Sequence, residues 1–542
     1  MTMVHCYMFE AKSIQSYIFR TGKLRDVVVA SERLEQLIDT DDDILSLVLA
    51  NFTNEIKFIR RKGGAFYTYG DSAQLIELRK IWTLAVQQLF PMLDFVDGIG
   101  SGENLIAAIE SAQVELVASR NAPRLKVPLY TTNMKLTERT AQTVIAYDKK
   151  MCEYIDNDTS INRYAYTLMI TNNATQFLYL KFMEQNSNQN SSNNPSFPLN
   201  LEPQQDFPYK GDNHDLALIH IDGNGIGLLL RDLKTSLANL PDEEYARVFL
   251  AFSDVLALST IQAAQVATNN LIKTLVANNE SINILPMRPI VMGGDDITLL
   301  CRADLAIEYA QNFCLAFERE TKKSLKKLYK KYTLKDLPSR LTASGGIIFQ
   351  KATQPFTTSH HLVEELCHQA KISSKANIHN KVGTPAIAFM QIATAQEETF
   401  ARLMQESYQV RIENKTITTS LGNYLISNNG ENNASAAILS DLLKLVELIR
   451  ANDSPLPANK IRKVISEIHK GNLPEAESLL KRAEDILDAQ EKKKLREIKT
   501  YFNKISGNKI SQSWWLWDID DNNKQTILSD ILTLIKMQGG QE

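Results

Sequence analysis

Pro289 to Cys301 reads PIVMGGDDITLLC. An apolar run, Ile290 to Met292, meets Gly293 and Gly294, then Asp295 and Asp296, and a second apolar run, Ile297 to Cys301, follows. Two β-compatible runs separated by two to four turn-type residues form a β-hairpin. Glycine adopts the positive φ of a tight turn at no steric cost. The product is a pair of carboxylates at a rigid turn, expensive to bury unless a cation or hydrogen bonds offset them. Alone, the stretch fits a metal site and a plain solvated turn equally well.

Leu216 to Asp222, LALIHID, is a buried-type strand ending in a carboxylate. It runs into Gly223, Asn224, Gly225, Ile226 and Gly227, and then into a helix from Leu228. An acid at a strand end can reach a metal, and bare backbone N–H groups at a helix start can hold phosphate. The plain alternative is a glycine-rich turn whose Asp222 caps the helix. With Asp222 beside the hairpin, three carboxylates converge. Hard oxygen ligands of this kind suit Mg²⁺ or Mn²⁺, and two such ions can activate a hydroxyl and stabilise leaving pyrophosphate.

Four ordered segments, IHIDGNGIG, VMGGDDITLL, LTASGGIIFQ (Leu341 to Gln350) and AKISSK (Ala370 to Lys375), resemble the palm domain of the large subunit of type III CRISPR effector complexes. That palm is related to GGDEF diguanylate cyclases and class III nucleotidyl cyclases. The resemblance is strong over about a third of the chain. It implies ATP as substrate, with two Mg²⁺ or Mn²⁺ ions held by Asp222, Asp295, Asp296 and the backbone of Ile221. It also implies a nucleotide site including Gly223, Asn224, Gly225, Gly227, Gly293, Gly294, Ser344, Lys371 and Lys375. Lys371 and Lys375 lie one helical turn apart and share a face. The plain alternative for them is a solvated helix face, and for Ser344 a buried hydroxyl bonded to backbone. FEAKSIQSYIF and RRKGGAFYTY, near the N-terminus, resemble the first palm of the same subunit. There Ala65 and Phe66 follow the glycines in place of acids, and Glu10 stands where an aspartate is expected. The plain alternative is an unrelated α+β domain.

At 542 residues the chain exceeds what one core serves. Apolar content of 44% is that of a globular protein, and a net charge of −3 announces no basic field for nucleic acid. No apolar run suggests a membrane span, and no secretory signal opens the sequence. Five scattered cysteines without a CxxC pair predict no zinc and a reducing, cytoplasmic setting.

The expected architecture is α+β: two ferredoxin-like palms, the first degenerate and the second carrying GGDD, and a C-terminal helical bundle. Boundaries are placed as 1–125 (degenerate palm), 126–212 (connecting segment with a strand pair in 164–179 and the low-complexity EQNSNQNSSNNP), 213–392 (GGDD palm, helices on one face) and 393–542 (helical throughout). Lys322 to Lys331, KKSLKKLYKK, reads as a solvated helix end or an RNA contact. Trp514, Trp515 and Trp517 read as core or as an exposed anchor.

The resemblance implies a nucleotidyltransferase making cyclic oligoadenylate second messengers from ATP in antiviral defence, partnered by other effector subunits and guide or target RNA. Two alternatives stand beside it: a nucleotide-binding scaffold subunit without turnover, and a diguanylate-cyclase-like enzyme. The last is disfavoured because Ile297 occupies the fourth GGDEF position. The HD nuclease and zinc-binding cysteines usual in the family are not visible, so no DNA cleavage is expected.

Overall fold

The computed structural model describes residues 3–38, 43–52, 56–120, 134–171, 177–184, 195–201, 207–211, 214–335, 337–379, 382–392, 399–412, 414–426, 437–507 and 513–539. The low-complexity stretch 185–194 lies outside them.

Strand Val4–Lys12 (β1) leads to helices Ile14–Phe19 (α1), Leu24–Ile38 (α2) and Ile44–Leu49 (α3). The hairpin Lys57–Lys62 (β2) and Ala65–Gly70 (β3), helix Ser72–Leu89 (α4), strand Asp94–Gly102 (β4) and helix Leu105–Arg120 (α5) complete this unit. Its sheet is antiparallel in the order β2-β3-β1-β4, a ferredoxin-like arrangement. Phe9 stacks on Phe66 at 5.5 Å, and Trp82 meets Phe9 edge-on at 5.3 Å, so alternate residues of β1 and β3 fill one core.

The connecting segment holds a hairpin, Ala146–Asp148 (β5) with Glu153–Ile155 (β6), and helices Asn157–Thr171 (α6) and Phe177–Phe182 (α7). The strand pair expected in 164–179 is therefore replaced by helix. Polar partners on α1, α2 and β5 decide this: Asp158 accepts from Tyr17 at 3.1 Å, and buried Arg163 reaches Asp26 at 3.1 Å and Asp148 at 2.7 Å. A helix sets Asp158 and, one turn on, Asn162, which accepts from Arg33 of α2, on one face.

The second unit starts with Asp215–Gly223 (β7), Ile226–Leu237 (α8) and Asp242–Ala277 (α9), followed by the hairpin Met287–Met292 (β8) and Ile297–Arg302 (β9). Helix Ala306–Tyr332 (α10), strand Ala343–Lys351 (β10), helix Phe356–Ala376 (α11), a small hairpin Ile378–His379 (β11) with Val382–Gly383 (β12), and strand Ala386–Gln391 (β13) follow. The order β10-β7-β9-β8 repeats that of the first sheet, strand for strand. β13 extends it in parallel beside β10. Helices cover both faces, not one. Ile219, Leu299 and Ile347 join the cluster of Phe313 and Phe317, whereas Leu218, Leu300 and Ile348 join Leu362, Val363 and Leu366 of α11. Period-two alternation of apolar residues on both sides makes each strand a continuous apolar run. By length and composition α9 would qualify as a membrane span, but in the fold it packs along α10 and against β2.

The C-terminal part is not helical throughout. After Phe400–Leu403 (α12) and a π-helical turn, Met404–Tyr408, come Gln409–Ile412 (β14), Lys415–Thr418 (β15) and Asn423–Leu425 (β16). Helices Leu439–Arg450 (α13), Ala458–His469 (α14), Leu473–Asp485 (α15) and Ala489–Ile505 (α16), strands Trp517–Asp518 (β17) and Asn523–Gln525 (β18), and helix Leu528–Met537 (α17) end the chain. β14, β15, β18 and β17 make a separate sheet, and β16 joins β13 at the palm's edge. Trp515 and Trp517 are buried, and Trp514 donates to Glu484 at 2.7 Å, so this cluster is core.

The two palms pack face to face. Ser31 on α2 donates to the Ile290 carbonyl, and buried Arg288 lies 3.5 Å from Glu32.

Candidate functional site

β7 is buried along its length except at Asp222, where it emerges beside the hairpin turn. The last paired residues of the hairpin are Met292 and Ile297, leaving 293–296 as a four-residue loop in which Gly293 N donates to the Asp296 carbonyl at 2.9 Å. Each hairpin acid rests over a glycine. A Cβ on Gly293 would fall 1.9 Å from Asp296 Oδ1, and one on Gly223 would fall 2.8 Å from Asp295 Oδ2. Neither position has room for a side chain while the carboxylates stay where they are.

Burial and crowding govern the charges. Burial pushes Asp295 up to about 7, assisted by the charges of Asp222 and Asp296 and by a hydrogen bond with Asp222; Lys371 opposes the rise. Asp296 rises to about 6, first through burial and then through Asp222, against backbone hydrogen bonds, Lys371 and Gln15. Lys371, on α11, forms an ion pair with Asp222. Three acids thus share one ammonium, and two of them hold protons far above the ordinary carboxylate range. Among the described residues no three His, Cys, Asp or Glu side chains are already disposed around one ion, because Asp295 and Asp296 lie over different glycines. The donor chemistry still fits a hard divalent cation: an all-oxygen set whose excess negative charge is met only by protons and one lysine.

Two cavities flank the turn. One, of about 430 Å³, lies against Gln15, Glu35, Gly63, Gly64, Asp296 and Glu364. The other, of about 420 Å³, has Asp295 and Gly294 at one end, Arg60, Lys62 and Arg231 among its walls, and Tyr245, Phe249 and Phe252 as apolar surface. Between them the glycine turns of the two palms touch: a Cβ on Gly63 would lie 3.4 Å from Gly294 N.

Residues 215–379 match the family model described as Cas10/Cmr2, second palm domain. The chain carries a Cas10/Cmr2 second palm. This is the domain of the large type III effector subunit that the ordered motifs imply. Solved structures to which the chain is similar include the Csm1–Csm4 cassette in complex with AMPPNP (12% identity, 68% of this chain and 53% of that one, TM-score 0.37). The same cassette in complex with cA4 gives 10% identity, 98% and 70% coverage and a TM-score of 0.42. Csm1 in T. onnurineus gives 11%, 98% and 69%, and 0.40. This chain spans about half the length of the AMPPNP-bound chain it matches. No curated protein sequence matches it.

Around the Cas10/Cmr2 palm, the other sequence-derived residues divide. Gly225, at φ 71°, starts α8 in a left-handed conformation, and Gly227 lines the second cavity. Asn224 is used to fasten the turn: its N–H donates to the Thr342 carbonyl at 2.8 Å and its amide to Thr342 Oγ1 at 2.9 Å. Ile221 pairs with Ile297 and Gly345 inside the sheet. Ser344 is fully buried, accepts from Ala386 N at 3.1 Å and lines neither cavity described above. Lys375 is exposed.

The first palm's turn differs from the expectation. Ala65 and Phe66 do not replace the acids; they are strand residues paired with Lys62 and Arg61, and Phe66 is core. Gly63 and Gly64, at φ 64° and 70°, form a two-residue hairpin turn, so the acid-bearing positions are missing altogether. Glu10 is occupied by Tyr67 and Arg120.

Three residues escaped sequence reasoning. Gln15, on α1 of the first palm, donates to Asp296 Oδ2 at 3.4 Å and also contacts His360 Nε2 on α11. Burial pushes His360 down to about 3, which keeps the ring neutral and able to donate to the Gln15 amide oxygen. Thr260 Oγ1 of α9, bonded to the Gly294 carbonyl at 2.9 Å, fixes the other side of the turn. Nothing local in the sequence marks contacts 281 and 345 residues apart. Gln15→Ala is expected to slow any metal-dependent turnover carried by these acids about tenfold, the worth of one good hydrogen bond at about 1.4 kcal/mol. Gln15→Glu should slow it further by setting another carboxylate against Asp296. Melting temperature should change little in either variant.

Proposed function

We propose that this protein is a metal-dependent nucleotidyltransferase that joins ATP into cyclic oligoadenylate, a second messenger of type III CRISPR antiviral defence. The observation carrying this reading is the set of Asp222, Asp295 and Asp296 with Lys371, at the turn of a Cas10/Cmr2 palm and between two nucleotide-sized cavities. Asp222, Asp295 and Asp296 would hold Mg²⁺ or Mn²⁺, two ions in the fullest form. Bound there, the ions would lower the pKa of a ribose 3′-hydroxyl and stabilise the pyrophosphate that leaves when it attacks an α-phosphate.

The chain's own groups have separate tasks. Lys371, exchanging Asp222 for a phosphate oxygen, would neutralise the triphosphate, with Lys375 one turn further out. The Gly223–Gly227 turn offers backbone N–H groups at the start of α8. Tyr245, Phe249 and Phe252 supply an apolar wall for a base, and Arg60, Lys62 and Arg231 supply cations for phosphate. The first palm, lacking acids at its turn, would serve as wall and acceptor side. Other effector subunits, guide or target RNA, and a cytoplasmic setting belong to the same proposal, as do domain boundaries near 125, 212 and 392. Relatives occur in a Csm1–Csm4 cassette with AMPPNP and with cA4.

One observation favours the scaffold reading, that of a subunit binding nucleotide without turnover: Lys371 and a shared proton already satisfy the acids. Incubation with each labelled NTP and Mg²⁺ or Mn²⁺, with and without RNA, separates the two. Cyclic oligoadenylate and pyrophosphate are expected. The diguanylate reading loses ground because Ile297 is fully buried and paired with Ile221 and Met292, where an acid could not reach substrate. Calorimetric competition should give ATP at least as tight as GTP. GTP ten-fold tighter, about 1.4 kcal/mol, would overturn the adenylate choice.

A further inference from the structure

A separate basic recess of about 350 Å³ opens where the end of β13 meets the π-helical turn, α14 and α17. Arg462 and His469 of α14 and Lys536 of α17 face it, together with the hydroxyls of Tyr408, Ser529 and Thr533. Among the described residues no carboxylate lines it. The nearby acids are committed elsewhere: Glu406 to Arg402 at 2.7 Å, Glu467 to Lys470 at 2.7 Å, and buried Asp530 to Ser420, Tyr424 and Leu421 N. Among the described residues, His469 and Lys536 form no ion pair, and Arg462 donates to the neutral amide of Asn459 at 2.8 Å.

The floor is fixed before any ligand arrives. Gln391 N donates to Tyr408 Oη at 3.1 Å, and Ser529 Oγ donates to Thr419 Oγ1 at 2.8 Å. Tyr408 sits on a π-helical turn, a geometry that gathers at functional sites. A protein of net charge −3 concentrates Arg462, Lys536 and His469 here with no acid among the described lining residues. Cationic donors around a nucleotide-sized hollow are the complement of a phosphate oxyanion.

We propose that this recess binds a phosphate ester, of a nucleotide or of a single strand of RNA, at a site distinct from the acid-bearing turn. The test uses the full chain in EDTA, which leaves the acid site without a cation to attract phosphate. A fluorescein-labelled ten-nucleotide RNA is titrated against the wild type and against Arg462→Ser/Lys536→Ser. The double variant should bind at least ten-fold more weakly, with a salt dependence shallower by about one to two phosphate contacts. Unlabelled ATP displacing the label identifies a nucleotide site, and displacement by unlabelled RNA alone identifies the strand backbone; either supports the proposal. Equal affinity of wild type and variant, or no binding of label or ATP to the wild type, overturns it. Should the double variant fail to fold, Lys536→Glu, a charge reversal on a half-exposed helix position, gives the same reading.

Discussion

Asp295→Ala/Asp296→Ala is expected to lose nucleotide turnover by a factor of at least about a thousand and yet to melt higher than the wild type in metal-free buffer at pH 8. The loss follows from removing two of three oxygen ligands where charge develops during phosphoryl transfer, a contribution worth on the order of 3–4 kcal/mol or more. The gain follows from burial: both acids are raised, Asp295 to about 7 and Asp296 to about 6. In the unfolded chain they titrate near 4, so between about pH 4 and pH 7 the folded state binds more protons than the unfolded one. Stability contributed by this pair is therefore present at low pH and lost as pH rises through the folded values. Wild-type melting temperature without divalent ions should fall across that window relative to the variant's, and adding Mn²⁺ at pH 8 should recover it in the wild type alone. Thermal scans at pH 5 and pH 8, with and without Mn²⁺, check this beside a pyrophosphate assay. A variant that turns over ATP normally would remove the hairpin from the chemistry.

The second large effect is expected at Gly293. An added methyl would lie 1.9 Å from Asp296 Oδ1, while its own backbone φ lies outside the left-handed region. Gly293→Ala therefore leaves the turn foldable but evicts the Asp296 carboxylate from its seat. A displacement of about 1 Å at a reacting centre costs on the order of a hundred-fold in rate. Gly294 is the internal control: a Cβ there meets nothing within 4 Å. Gly294→Ala should keep turnover within a few fold. Equal loss in both variants would mean that the glycines serve the hairpin and not the acid.

Much of the palm was legible because its strands are continuous apolar runs bounded by glycine and acid. Leu216 to Asp222 and Ile290 to Cys301 need no knowledge of their neighbours to be read. The meeting of Asp222 with the hairpin follows from strand order, and β7 does lie beside β9. The first palm shows where reading by analogy fails. By analogy RRKGGAFY is a turn with its acids substituted, but a two-residue glycine turn forces Ala65 and Phe66 into the ladder. In α6, Tyr164, Tyr166 and Thr167 are strand-favouring residue types, and a buried Arg163 paired with Asp26 overrides that preference. β14, β15 and β18 have three or four residues each, too short for alternation to stand out from a helical pattern. Gln15 and His360 carry no local signal, since their meaning arises only when the palms dock.

The most direct test of the metal–nucleotide site is a crystal soaked with Mn²⁺ and a non-hydrolysable ATP analogue, read by anomalous scattering. The expected result is a peak at about 2.0–2.2 Å from carboxylate oxygens of Asp222 and of Asp295 or Asp296, as for a small octahedral divalent ion, with none beside Glu10 and Phe66. A peak at the first palm's turn, or full nucleotide density with no metal near Asp222, would contradict it.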